Sequence, residues 1–91
     1  MVLTNCIIHL ELPFVSSLKG RRAFINKIKD KMKNLNLSIL DISSSYSKEI
    51  DLAIVFLSSN SKASAKYRQK IEELIYKIVP QAIIEFDCEE I

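Results

Sequence analysis

Apolar side chains in this chain alternate, then recur at helical spacing, then alternate through two further stretches, then recur helically and alternate once more. That order leaves few folds open. Residues 2–12 set the first pattern. Cys6, Ile8, Leu10 and Leu12 share one face; Asn5, Ile7, His9 and Glu11 share the other. This is the signature of a strand with one apolar face. Pro13 ends it, because proline cannot donate to a ladder. Residues 17–34 follow the helical rule through Leu18, Ile25, Ile28, Met32 and Leu35, with Phe24 beside them. Ser16 or Ser17 stands where an N-cap belongs. Asn34 and Asn36 are expected to end the helix, since Asn accepts the left-handed cap conformation.

Residues 37–45 read as a second strand, with Leu37, Ile39, Leu40 and Ile42 leaving its buried face undecided. The polar run Ser43–Lys48 reads as a hairpin connection. Residues 49–58 are apolar on both faces: Ile50, Leu52, Ile54 and Phe56 on one, Ala53, Val55 and Leu57 on the other. That suits a central strand, or a sheet face covered by a partner. Ser58–Ser61 caps a second helix over 62–79, with Ala63, Tyr67, Ile71, Leu74, Ile75 and Ile78 as its apolar stripe, and Pro80 stops it. Residues 81–90 form the last strand, with Ala82, Ile84, Phe86 and Cys88 inward and Ile83, Glu85, Asp87 and Glu89 outward.

The order is β-α-β-β-α-β. With short connections and right-handed crossovers, it predicts an α+β ferredoxin-like sandwich. In that fold a four-stranded antiparallel sheet carries both helices on one face. Residues 1–91 are expected to form a single such domain. The first and last strands are then neighbours. If Pro13 lies near Gln81, Cys6 falls opposite Cys88, both facing the helices.

No apolar run reaches the roughly 20 residues of a membrane span, and the N-terminus lacks the pattern of a signal peptide. The expected location is the cytoplasm. Cys6 and Cys88 are accordingly expected to be reduced, as small core residues rather than a redox pair. Neither has a second Cys or a His at metal-ligand spacing, so no metal or cofactor is expected.

The formal net charge of +2 says little, but its distribution says more. Residues 17–34 carry +6 and residues 62–79 carry +3, whereas residues 80–91 carry −4. The predicted fold therefore has two electrical sides. Its helical layer collects Lys19, Arg22, Lys29, Lys33, Lys62, Lys66, Arg68, Lys70 and Lys77. Its open sheet face collects Glu11, Asp51, Glu85, Asp87 and Glu89. RNA-recognition modules of this topology stack bases on aromatics of the open sheet. An acidic face with no aromatic excludes that mode. Nucleic acid would meet the helical face through phosphates.

The stretch Ser16–Arg22 concentrates the basic signal. It holds the only glycine, and it puts Lys19, Arg21 and Arg22 in the first turn of a helix. The positive end of the helix dipole disfavours cations there, by a few tenths to about 1 kcal/mol. Free backbone N–H groups beside Arg and Lys suit an anion. At helical spacing Lys19, Arg22, Asn26, Lys29 and Lys33 form one basic flank. Arg21 lies at the apolar azimuth, where its stem would cover the core edge and its head would stay exposed.

Cys6 through Pro13, followed by Ser17-Leu18-Lys19-x-Arg21-Arg22, resembles the YlxP-like family of small bacterial proteins, a domain of unknown function. Ser59-Asn60 before the second helix is similar to that family's Ser-Asn-Asp. The resemblance implies the ferredoxin-like fold and an association with translation. Genes of the family tend to lie beside those for an initiation factor and ribosome-binding factor A. Many members carry an Asp-Leu-Trp-Gln-like segment between the middle strands, where this chain has Tyr46-Ser47-Lys48-Glu49.

No catalytic constellation stands out. His9 is a lone histidine, and Glu11 two residues on is too generic a partner to define a site. The alternating acids Glu85, Asp87 and Glu89 fit a solvated strand face, and the serine runs lack the glycines of a phosphate loop. The expectation is a non-enzymatic factor that contacts ribosomal RNA, or a ribosome-assembly protein, through Lys19, Arg21, Arg22, Lys29 and Lys33. The alternatives are a homodimeric interaction module, joined by the open sheet face (Ile7, Val55, Leu57, Ile83) or a strand edge, and a small-anion-binding regulatory domain.

Overall fold

The computed structural model describes residues 1–91. Its elements are β1 (Val2–Glu11), α1 (Leu18–Met32), β2 (Leu37–Asp41), β3 (Glu49–Ser58), α2 (Ser61–Ile78) and β4 (Ile83–Glu90). The strands form one antiparallel sheet in the order β2-β3-β1-β4, and the fold is ferredoxin-like. β3, apolar on both faces, is a central strand, the first of the two arrangements its sequence allows. β2 and β4 are the edges.

Alternation decides which side chains meet. Cys6, Ile8 and Leu10 of β1 and Ile50, Leu52, Ile54 and Phe56 of β3 are buried under the helices, with Leu12 just beyond β1. α1 contributes Ile25, Ile28 and Met32; α2 contributes Ile71 and Ile75. Each such aliphatic side chain contributes about 1.5–3 kcal/mol on burial, so this interface holds the layers together. Thr4 is the polar exception on the buried face of β1. Its hydroxyl meets that of Ser64 on α2 at 2.6 Å, so neither is left without a partner. Tyr67 packs its ring on Phe56 at 4.8 Å, but its hydroxyl is buried with no partner.

Three expectations are corrected. Cys6 and Cys88 are joined by a disulfide rather than lying reduced in the core. The register pairs them directly across β1 and β4 on the buried face, with Cα atoms 4.1 Å apart, close to the spacing of a non-hydrogen-bonded pair. β2 ends at Asp41, not at residue 45. There the Asp41 carboxylate accepts the Ser43 N–H, and the Ser43 hydroxyl accepts the Asp51 N–H at 2.9 Å, so side chains take over from the ladder. α1 does not end on a left-handed Asn. No residue has positive φ, and the C-cap, Lys33, is right-handed helical.

Candidate functional site

The start of α1 shows what the glycine and the three cations do. Ser17 is the N-cap, extended at φ −147°, and its hydroxyl accepts the Gly20 N–H at 3.0 Å. A Cβ on Gly20 would stand 3.3 Å from that hydroxyl and 3.5 Å from Val15. The glycine therefore keeps room for the cap. One of the amides expected to receive an anion is already occupied by the protein's own serine.

Arg21 is also committed. Its Nη1 donates to the carbonyls of Ser44 at 2.7 Å, Tyr46 at 2.7 Å and Glu49 at 3.2 Å. Lys48 works in the opposite direction, from the β2–β3 loop to the β1–α1 connection. Its Nζ donates to the carbonyls of Pro13 and Val15, both at 2.8 Å. The two cations form a reciprocal clasp between loops far apart in sequence. One nitrogen of the Arg21 guanidinium, Nη1, is thus committed to these carbonyls.

Lys19, Arg22 and Lys33 are exposed. Lys29 is half-buried, and with Arg21 it acts on Asp41 of β2. Burial pushes the Asp41 carboxyl up, but hydrogen bonds from Ser43 and the charges of Arg21 and Lys29 outweigh this and hold it below its ordinary value. The predicted stripe thus runs along the β2 side of α1, and Lys29 is partly answered by an acid.

The other flank of α1 faces α2. Lys27 and Lys31 of α1 and Lys77, Leu74 and Ile78 of α2 line a groove of about 390 Å³. Lys27 and Lys31 were missed by the sequence stripe. Their signal was their position one turn apart on the opposite flank of the helix. No Lys or Arg in the molecule lies within 4 Å of a carboxylate; the short acid–base pairs all involve His9.

The open sheet face differs sharply. His9 faces Asp51 on β3 and Glu85 on β4. Its Nδ1 lies 2.6 Å from the Asp51 carboxylate and its Nε2 lies 3.9 Å from Glu11. The hydrogen bond to Asp51 raises the imidazole pKa above its ordinary value. Burial works against this, and the charges of Asp51, Glu49 and Glu85 reinforce it. His9, Glu11 and Glu49 bring potential ligand atoms within 4.8 Å of one another, a donor set able to take a divalent cation. Beyond this acidic end, Leu40, Ala53 and Ile7 line up across β2, β3 and β1, with Val55 and Leu57 adjacent. Leu40, Ile7, Val55 and Leu57 are all exposed. Ile83 is exposed too, but it pairs with Glu11 at the acidic end and lies outside this patch. No Phe, Tyr or Trp side chain lies on this face of the strands.

Residues 3–88 match the family described as "Protein of unknown function (DUF503)", and the chain belongs to that family. No curated protein matches it. Among solved structures, it is similar to a de novo designed protein with a ferredoxin fold, at TM-score 0.66 and 13% identity over 98% of this chain and 86% of that one. The designed protein Foldit4 is similar at TM-score 0.63 and 11% identity, over 96% of each chain. The Bacillus subtilis YxeP protein, a dinuclear metal-binding peptidase of the M20 family, is similar at TM-score 0.66 and 10% identity; 96% of this chain covers 25% of that one. At such identities the likeness concerns the fold alone. No helix is long and apolar enough to cross a membrane.

Proposed function

We propose that this protein is a non-enzymatic, YlxP-like cytoplasmic factor of translation or ribosome assembly that contacts RNA phosphates through its helical layer. The observation that carries this reading is the separation of charge. The exposed lysines and arginines of α1 and α2 have no carboxylate within 4 Å. The helices carry only Asp30, Glu72 and Glu73 among their many cations, whereas Glu11, Glu49, Asp51, Glu85, Asp87 and Glu89 lie on the open sheet face. A fold serving stability alone would interleave the signs. Uncompensated cations on one layer suit a polyanion, whose binding releases counterions and falls with salt. Absence of aromatics from the open sheet argues against base stacking there. Ribosomal particles are the polyanion this reading names, on the strength of the family resemblance. The experiment is co-sedimentation with ribosomal particles. Wild type is expected in the particle fractions at low salt and in the supernatant as salt is raised, and a wild type absent from the particle fractions at low salt overturns the reading.

A homodimer through the open sheet is the second reading, favoured by the exposed row Leu40, Ala53 and Ile7 with Val55 and Leu57 beside it. Sedimentation equilibrium tests it: Ile7→Glu is expected to convert a dimer to a monomer, and a monomeric wild type removes the reading.

A further inference from the structure

We infer that the seat for the RNA backbone is the groove between α1 and α2, held by Lys27, Lys31 and Lys77, rather than the flank of α1 that carries Lys19, Arg22, Lys29 and Lys33. This rests on the RNA reading above and gives it a location. Three lysines from two helices line one groove of about 390 Å³. None has a carboxylate within 4 Å, and none donates a hydrogen bond to another protein group. Lys27 and Lys31 stand four residues apart on one helix, where like charges oppose folding. A bound polyanion removes that repulsion.

The chemistry of the lining selects the ligand. A single small anion is best held by backbone N–H groups converging with a fork of Arg donors. The middle of a helix offers no free N–H, and no arginine lines this groove. Lysines act as rotatable point charges and suit a succession of phosphates. The floor is only Leu74 and Ile78, with no aromatic to stack a base and no amide to read one, so the contact is to the backbone and indifferent to sequence. The other flank is weaker in the same terms. Arg21 is held by loop carbonyls, and Lys29 is partly neutralised by Asp41.

The test is fluorescence anisotropy with a short labelled RNA of mixed sequence over a salt series. Lys27→Gln, Lys31→Gln, Lys77→Gln in one chain is expected to weaken binding at low salt by about tenfold or more, and to flatten the slope of log K against log salt by about 2, since each single-strand phosphate contact contributes roughly 0.7. Lys19→Gln with Lys33→Gln is expected to cost about threefold or less by the same reasoning. Replacing the groove lysines by arginine, which keeps the charge and guards against a folding artefact, is expected to retain binding. A groove variant that binds as wild type does, with an unchanged slope, overturns the inference and leaves the RNA reading standing. A wild type that binds no RNA overturns both. Tighter binding to polyglutamate than to RNA overturns the inference in favour of an acidic protein.

Discussion

Nη1 of Arg21 donates to the backbone carbonyl of Tyr46 at 2.7 Å, tying the first turn of α1 to the loop between β2 and β3. Lys48 returns the contact to the carbonyls of Pro13 and Val15, so each loop is held by a cation from the other side. Loop carbonyls thereby gain a charged donor. Arg21 thereby explains one cation in an unfavourable place: its geometry offsets what the helix dipole costs. Hydrogen bonds to a charged group are worth about 1.5–3 kcal/mol when sheltered, and less where solvent reaches them. Arg21→Ala is expected to destabilise by about 1–2 kcal/mol on that basis. Hydrogen exchange should speed up across residues 43–48, and Arg21→Lys should restore only part of the loss, because the shorter lysine side chain does not carry its nitrogen fully to the position of Nη1. Unchanged exchange in that loop would show that the clasp does not order it.

The His9–Asp51 contact makes stability depend on pH. A folded pKa raised above the unfolded value of about 6.5 means that the folded state holds the proton more tightly. The pair's contribution is then complete below about pH 6.5 and is lost as pH rises through the raised folded value. Urea midpoints for wild type are expected to fall through this group as pH rises above about 6.5 and through the raised folded value. Asp51→Asn should flatten that fall, since it removes the carboxylate charge that favours the protonated imidazole. Parallel profiles for the two proteins would contradict the assignment.

Tyr67 carries a buried hydroxyl with no partner. Burying such a group costs roughly 1–3 kcal/mol. Tyr67→Phe keeps the ring against Phe56 and removes the cost. Thermal unfolding should show the variant as stable as wild type, or more stable by up to about 1 kcal/mol. A loss of similar size would mean that the hydroxyl has found a partner, such as a bound water.

The disulfide joins residues 82 apart in sequence and fastens the edge strand β4 to β1. Closing so long a loop restricts the unfolded chain, and a bridge of this kind contributes about 2–4 kcal/mol. Oxidised protein should resist urea more than protein kept in reductant, whereas a Cys6→Ala, Cys88→Ala variant should be indifferent to reductant. Equal midpoints with and without reductant would show that the bridge adds nothing to stability.

The fold was legible because each element declares its period and the connections are short. Even the β1–β4 register followed from placing Pro13 near Gln81, which brings Cys6 opposite Cys88. What sequence could not settle was whether those thiols bond. Compartment argued for reduced cysteines; the geometry of the pair argued otherwise. The site was less legible, for a physical reason. A helical wheel shows that Arg21 points toward the core edge, but the carbonyls waiting there belong to a loop 23 to 28 residues away. Likewise, Lys27 and Lys31 gain meaning only when α2 brings Lys77 alongside. His9 looked solitary because its partner, Asp51, lies 42 residues on, and nothing local fixes the β1–β3 register.

The central claim is that RNA meets the helical layer. Ultraviolet crosslinking of the protein to RNA in cells, followed by mapping of the crosslinked peptides, tests it most directly. The account predicts recovered RNA with crosslinks confined to peptides of α1 and α2, above all those containing Lys27, Lys31 and Lys77. Crosslinks on β1, β3 or β4, or no RNA recovered at all, would contradict it.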